Sequence, residues 1–404
     1  MANLSNITAA KGFRTGGITC GIKASGKPDL MIITSDSTCA AAGVFTTNKM
    51  PGAPVVVSKR HVRNGKAQAI VCNSGISNVC TGQQGLADAL TMCLQTGEQL
   101  GIDPADVLVC STGIIGHMLP MEKIESGIEK LAPKLAKDPK ANSATARAIM
   151  TTDLVPKSSH IQIQLGSKNI HIGGIAKGSG MIAPNMATML SFITTDIAIT
   201  PILLKQVLKR VANVSFNCIS IDNDTSTSDC VLILANGQAG NRLIDKPGKN
   251  LDAFEVALTT LCKDLAYQIV KDGEGATRVY RAQISGAASI KDANRIGKTI
   301  ANSPLVKTAI HGNDPNWGRL VMAVGRSGAK VNPDKLDIGI GGILLCKSGQ
   351  PVQLTKAQLA KIIKHMKSKE VHLTVNLNLG KGKAQWLGCD LSREYITINA
   401  DYTT

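Results

Sequence analysis

The stretch from Lys177 to Thr188 constrains this chain more than any other, because a lysine and a flexible loop come directly before an apolar run. Gly178-Ser179-Gly180 lets the backbone come close to whatever Lys177 binds, and Pro184 bends the approach. The ordinary interpretation is a glycine-containing loop that enters a buried strand. A second interpretation starts from the junction between Ala187 and Thr188. A threonine hydroxyl is a poor nucleophile unless a base removes its proton, and a threonine at the start of a chain can use its own α-amine.

Short apolar runs alternate with amphipathic segments along the whole chain, which is typical of an α/β fold. We predict strands at 68–72, 106–110, 371–379 and 395–399. We predict helices at 85–100, from Thr200-Pro201 onward, and along an apolar stripe from Phe254 to Ile269 that ends at two glycines near residue 274. A Thr-Gly pair, Thr112-Gly113, is expected to form a turn at the exit of the second strand. Asn399 is expected on the opposite face of the last strand from its isoleucines, where it is free to reach a ligand.

Together with the 176–190 segment, six ordered blocks resemble one enzyme family, the ornithine acetyltransferases (glutamate N-acetyltransferases) of arginine biosynthesis. The blocks are Gly12-Phe13-Arg14 with Gly21-Ile22-Lys23, Ala42–Asn48, Ser111–Gly116, Asp272–Thr277, His311–Arg319 and Ile398–Tyr402. The chain departs from the usual pattern of that family at Ile76, Asn223 and Ser228. The resemblance runs nearly from end to end.

The resemblance implies that the precursor cuts itself between Ala187 and Thr188, giving an α chain of residues 1–187 and a β chain of residues 188–404. It also implies a layered α/β sandwich core formed by both cleaved chains, with a smaller C-terminal α/β domain. We place the main catalytic domain at about 1–280 and the smaller domain at 281–404, and we expect its last strand to return to the site. In this family the cleaved chains are expected to assemble as a heterotetramer.

The same resemblance assigns the chemistry. Thr188 is the expected nucleophile, which takes the acetyl group from N2-acetylornithine and passes it to glutamate in a two-step exchange. Thr112 and Gly113 match the pair that stabilises the oxyanion.

Further positions match residues that hold substrate in the family. Lys177 is expected to pair with a carboxylate, and Glu274 with an ammonium group of ornithine. The complete set of expected substrate-binding residues is Thr151, Lys177, Thr188, Glu274, Asn399 and Thr404; Thr152 is an alternative to Thr151.

The composition argues against several other classes of protein. The net charge is +16, but lysine and arginine are spread along the chain and aromatic residues are only 3%, which disfavours a nucleic-acid-binding surface. A positive field suits carboxylate substrates, although a well-solvated surface explains the charge equally well. No run of 18 apolar residues predicts a membrane span, and the polar start of the chain lacks a signal sequence, so a cytoplasmic location is expected.

No metal or cofactor is expected, apart from acetyl-CoA as a candidate co-substrate, because some members of the family also take acetyl groups from it. The eleven cysteines form no CxxC pair and are interpreted as buried thiols. The acidic block 222–227 lacks the glycine and the distant glutamate of a calcium loop. The block 311–319 is interpreted as a structural turn in which Asp314 pairs with Arg319.

Two alternatives to the transferase remain. An amidase or aminopeptidase with an N-terminal nucleophile would use water as the acceptor in place of glutamate. A catalytically inactive binding protein would keep the fold without cutting itself.

Overall fold

The computed structural model describes residues 7–183 and 189–401. The strands are β1 (Phe13–Ile18), β2 (Leu30–Phe45), β3 (Lys66–Ile76), β4 (Val107–Ile114), β5 (Lys157–Leu165), β6 (Lys168–Lys177), β7 (Leu190–Thr195), β8 (Ile219–Ser220), β9 (Cys230–Ala235), β10 (Val279–Ala287), β11 (Asp337–Ile340), β12 (Ile343–Lys347), β13 (Gln350–Pro351), β14 (Glu370–Asn376) and β15 (Gly382–Cys389).

The helices are α1 (Ala53–His61), α2 (Gly82–Leu100), α3 (Met121–Leu131), α4 (Pro139–Ala148), α5 (Pro201–Asn213), α6 (Lys249–Lys271), α7 (Ile290–Ala301), α8 (Pro304–His311), α9 (Trp317–Gly325), α10 (Lys356–Met366) and α11 (Arg393–Asp401). Strands and helices are mixed throughout, so the predicted α/β class is confirmed. Within the two described ranges, no helix is long and apolar enough to cross a membrane.

The chain divides into two units. The described residues of the first unit are 7–178, 189–217 and 224–269, and those of the second are 179–183, 218–223 and 270–401. The last change of unit, at 269/270, lies about ten residues before the boundary expected from the sequence. Two short segments of the expected main domain also belong to the second unit.

The first unit is built on one sheet with the strand order β4-β3-β2-β9-β7-β6-β5, with β1 added beside β2. Side chains alternate between the two faces of its central strands. Leu30 and Ile32 join a core with α2 and α3, whereas Met31 and Ile33 join a core on the other face with Phe192. Because both faces are covered, these strands appear in the sequence as continuous apolar runs rather than as alternating ones.

Helices α5 and α6 of the first unit agree with the sequence prediction. Leu204, Val207, Leu208 and Val211 are buried along one side of α5, and the apolar stripe of α6 from Phe254 to Ile269 is buried as well. Helix α2 begins at Gly82, three residues earlier than predicted. Thr200 occupies the N-cap position of α5, although its side chain makes no capping hydrogen bond.

The second unit has its own sheet, in the order β13-β12-β11-β14-β10-β15-β8. Its core gathers β10, β14 and β15 against α7, where Trp386 packs so closely on Gly297 that a Cβ atom there would lie 2.2 Å from the indole ring. Strand β14 stops at Asn376, before the predicted end at residue 379, because Asn378 adopts a φ of 51° and its N–H donates to the Asn376 side chain.

Two predictions for the second unit are wrong. Residues 393–401 form α11 instead of a last strand. The Tyr395 N–H donates to the Ser392 hydroxyl at 3.4 Å, and the Asn399 side chain donates to the Tyr395 carbonyl four residues earlier. Arg319 donates to the Leu305 carbonyl and to Thr308 instead of pairing with Asp314.

Candidate active site

The proposed oxyanion pair lies at the end of β4 in the first unit. Thr112 and Gly113 are still inside this strand, paired in parallel with Ser74 and Gly75 of β3, so they do not form the turn that was expected. Gly113 has a φ of 132°, and a Cβ atom on it would lie 2.2 Å from the Gly75 carbonyl carbon. Glycine is therefore required here, because neither the φ angle nor the space suits any side chain.

Lys177 is the last residue of β6 and reaches Thr112. The side chain is buried, and its ammonium donates a hydrogen bond of 3.1 Å to the Thr112 hydroxyl oxygen. A hydroxyl that accepts from an ammonium keeps its own hydrogen available for a second partner. The pair therefore presents a polarised O–H donor, which suits the stabilisation of a developing negative charge.

A buried carboxylate lies behind Lys177. One oxygen of Asp153 accepts from the Lys157 ammonium at 2.6 Å and from the Gly178 N–H at 2.7 Å, and the other accepts from the Thr151 N–H at 3.0 Å. Burial alone would raise the pKa of Asp153, but the charges of Lys177 and Lys157 and these hydrogen bonds lower it to about 2. Asp153 is therefore ionised at neutral pH, and its carboxylate holds the backbone at Thr151 and at Gly178.

Thr151 lies beside an open cavity of the first unit. The cavity has a volume of about 310 Å³ and is lined by Thr151, Asp153 and the cationic side chains of Lys23, Lys27 and Arg147. Burial lowers the pKa of Lys23 to about 8, and its ammonium donates to the carbonyls of Pro28 and Met150 at 2.7 Å each. The cationic lining favours an anionic group of a small molecule.

The Ala187-Thr188 junction lies just before β7. Both residues, like Thr404, lie outside the described part of the chain. Leu190, two residues after Thr188, pairs with Lys177 of β6 on one side and with Cys230 of β9 on the other. Leu190 therefore lies between the strand that carries Lys177 and the strand that follows Asp229.

Glu274 and Asn399 come together in the second unit. Glu274 is buried, its N–H donates to the Ser179 carbonyl at 2.9 Å, and its carboxylate accepts from the Asn399 side chain at 2.9 Å. A Cβ atom on Gly180 would lie 2.4 Å from this carboxylate, so the glycine makes room for it. The turn of α11 between Tyr395 and Asn399 positions the Asn399 side chain against Glu274. The predicted strand did not imply this position.

Sequence reasoning did not identify Asp153, Lys23 or Asp229 as members of this site. Asp153 and its partner Lys157 are four residues apart, a spacing that suggests an ion pair in a helix but here leads into a strand. Lys23 belonged to one of the matched family blocks, and Asp229 lies two residues beyond the acidic block 222–227, which was considered only as a calcium loop. The burial of Asp153 and Asp229, which depends on distant strands, is the signal that marks these two acids.

A family match, two relatives and a solved structure all point to the same family. Residues 14–404 match the ArgJ family. The arginine biosynthesis bifunctional protein ArgJ of Dehalococcoides mccartyi is 46% identical over 401 residues, which are 99% of this chain and 97% of that protein. The protein of the same name from Bacillus subtilis is 42% identical over 400 residues, which are 99% of this chain and 97% of the relative. A crystal structure of the arginine biosynthesis bifunctional protein argJ from Bacillus halodurans matches with a TM-score of 0.51 and 41% identity, over 53% of this chain and all of that one.

Proposed function

Because the chain belongs to the ArgJ family and is therefore an acyltransferase of arginine biosynthesis, we propose that it transfers the acetyl group of N2-acetylornithine to glutamate through an acetyl group on Thr188. The products are ornithine and N-acetylglutamate. The observation that carries this proposal is the hydrogen bond from Lys177 to the Thr112 hydroxyl. Lys177 also pairs with Leu190 at the start of β7, two residues after Thr188 in the sequence.

The first half of the reaction uses the Thr188 hydroxyl. After cleavage, the new α-amine at this residue has a reference pKa of about 7.7–8.0, so a useful fraction is neutral at pH 7 and takes the hydroxyl proton. The oxygen attacks the acetyl carbonyl, and the Thr112 hydroxyl and Gly113 N–H stabilise the oxyanion, at roughly 3 kcal/mol for each donor. Ornithine leaves with the proton, and the glutamate amine then attacks the acetyl ester.

The proposed substrate contacts follow the charges of the site. Lys177, Thr151 and the cationic cavity are proposed to hold carboxylate, and Glu274 with Asn399 is proposed to hold an ammonium group of ornithine. Thr404 is carried over from the family and lies outside the described residues. We also propose that the α and β chains remain together as a heterotetramer.

Cleavage before Thr188 has support from chain length. Residues 188–404 are 217 of 404, or about 54% of the chain. The solved Bacillus halodurans chain, taken over its whole length, covers 53% of this one. A separate chain of that size agrees with the β chain that the proposal requires.

The test combines mass spectrometry with a transfer assay. The purified protein should give two chains, and Thr188→Ala should give one uncleaved chain of 42.4 kDa without transferase activity. Thr200→Ala is the matched control, since the Thr200 side chain makes no capping hydrogen bond, and it should cleave and turn over normally. Ornithine release that needs no glutamate would contradict transfer and favour the hydrolase.

Use of acetyl-CoA is a separate part of the proposal. The relatives are called bifunctional, and we propose acetyl-CoA as a second acetyl donor, with no other cofactor. Incubation with glutamate and acetyl-CoA as the sole donor should then yield N-acetylglutamate. No product in this assay, with transfer from acetylornithine intact, would restrict the enzyme to recycling the acetyl group.

A further inference from the structure

Glu274, which together with Asn399 forms the proposed ammonium subsite, lies on the loop 272–278 between α6 and β10. This loop is anchored at its upstream end by Ser179. The Ser179 hydroxyl donates to the Asp272 carbonyl at 2.6 Å, and the Ser179 carbonyl accepts from the Glu274 N–H at 2.9 Å. Because both of these bonds lie at or before Glu274, the position of its carboxylate also depends on what holds the loop after it.

The downstream anchor of the loop is Asp390, which directly follows β15. Its Oδ1 atom accepts from the Thr277 N–H at 2.8 Å and from the Arg278 N–H at 2.9 Å. Its Oδ2 atom accepts from the Thr277 hydroxyl at 2.6 Å, and the whole side chain is 0% exposed. A buried carboxylate thus binds the backbone three and four residues beyond Glu274, so the loop is held on both sides of this residue.

Helix α8 supplies a further donor to the same carboxylate. Burial alone would raise the pKa of Asp390, but hydrogen bonds from Thr277, from His311 and from the backbone lower it, so the carboxylate is ionised at neutral pH. An ionised carboxylate only accepts, so the His311 Nδ1–H donates to the Asp390 Oδ2 over 2.8 Å. One helical turn before His311, the Lys307 ammonium donates to the Cys389 carbonyl. The face of α8 that carries these two side chains therefore holds the end of β15 in place.

The same end of β15 leads into α11, which carries Asn399. The Ser392 hydroxyl donates to the Gly275 carbonyl at 2.6 Å. A Cβ atom on Gly275 would lie 2.4 Å from the Tyr395 nitrogen, so the loop and the first turn of α11 approach each other as closely as their backbones allow. The end of β15 therefore sets where both members of the ammonium subsite lie.

We propose that Asp390 is a positioning residue for the ammonium subsite and so determines selectivity for acetyl donors with a side-chain ammonium, an inference that rests on the proposed function. Asp390 is enclosed and does not touch the substrate. It aligns the Glu274 carboxylate, to which the Asn399 side chain donates at 2.9 Å, with the side-chain ammonium of N2-acetylornithine. Glutamate has no ammonium in its side chain, so Asp390 acts on only one of the two substrates of the exchange.

The test compares two acetyl donors of equal chain length with the purified enzyme. N2-acetylornithine carries the side-chain ammonium, whereas N2-acetylnorvaline ends in a methyl group. A hydrogen bond to a charged group contributes about 10- to 100-fold in binding, so the wild type should prefer acetylornithine in kcat/KM by at least about 10-fold. Asp390→Asn turns one accepting oxygen into a donor, and it should reduce this preference by about 10-fold through kcat/KM for acetylornithine alone. The values for acetylnorvaline and for glutamate should stay within about twofold of the wild type.

Asp337→Asn is the matched control. Asp337 is a partly buried acid of the same unit that accepts from the Ser348 N–H and from the Asn378 side chain, both at 2.9 Å, and its variant should keep the wild-type preference. A conservative pair of variants at His311 tests the fourth donor. His311→Ala should lower the preference about threefold, whereas His311→Asn keeps a side-chain N–H near the place of Nδ1 and should retain most of it. Because this side chain is 39% exposed, both variants decide the question even if Asp390→Asn does not fold.

Two results for Asp390→Asn would overturn the proposal: an equal fall in kcat/KM for both donors, which indicates a general loss of structure, or an unchanged preference. Binding of ornithine and norvaline, measured by calorimetry, should show the same loss of preference without any turnover. A wild type that binds ornithine but transfers nothing to glutamate would remove the proposed function. A wild type that does not distinguish ornithine from norvaline would instead overturn the ammonium subsite and, with it, the role of Asp390.

Discussion

The buried pair of Asp153 and Lys157 offers the sharpest stability test. Their side chains are 0% exposed and are joined at 2.6 Å. Asp153→Asn removes the negative charge that faces the buried Lys157 ammonium at this distance. Breaking a buried ion pair from one side costs about 3–5 kcal/mol, because the remaining charge is uncompensated. For a unit of this size that corresponds to a fall in Tm of roughly 6–20 °C.

The assay is unfolding in urea followed by circular dichroism, with Asp36→Asn as the matched control. Asp36 pairs with Arg14 at 3.2 Å, but both side chains are about half exposed, so this change should cost less than about 1 kcal/mol. A double variant, Asp153→Asn with Lys157→Met, should regain part of the lost free energy of unfolding, because it also removes the buried positive charge of Lys157. If Asp153→Asn lowers the urea midpoint no more than Asp36→Asn does, the argument from burial is refuted.

Three further outcomes are expected. Acid should weaken the fold, because the pKa of Asp153 in the folded protein lies below its ordinary value of 3.8. The contribution of Asp153 to the free energy of unfolding, about 2 kcal/mol, is complete above pH 5 and is lost as the pH falls toward 2. The urea midpoint should therefore fall less between pH 7 and pH 3 in Asp153→Asn than in the wild type. Thr112→Ala should still cleave, slowly, but should lose about 10²–10³ in kcat with little change in KM, whereas Thr112→Ser should retain most of the activity in the same transfer assay. Gly113→Ala should lower the melting temperature by several degrees in a thermal scan, because the added methyl group collides with the Gly75 carbonyl.

Local patterns were sufficient for much of the fold. The apolar runs that became β3 and β4 and the stripe that became α6 carry their periodicity within a few residues, so burial on one or both faces could be predicted. The segment 393–401 shows the limit of such patterns. Its alternation suits a strand, yet Ser392 directly precedes the helix and its hydroxyl accepts from the Tyr395 N–H, a capping contact that favours a helix.

The site depended on information of another kind. Lys177 and Thr112 are 65 positions apart in sequence, and no periodicity predicts that their side chains meet. The family resemblance identified both residues. It did not lead to Asp153 or Asp229, because a single acid in a polar stretch is ordinarily a solvated surface residue. Only the pairing of the strands shows that these two acids are buried.

The buried charges at the start of β5, at the end of β6 and just before β9 are costly for the fold, and that cost is itself an argument for function. Lys177, Asp153, Lys157 and Asp229 are all buried, and each would lose several kcal/mol of hydration without a partner. Asp153 compensates the two lysines, so its pKa falls, whereas Asp229 is left poorly compensated and its pKa rises. A sheet that needed only stability would place apolar residues at all four positions.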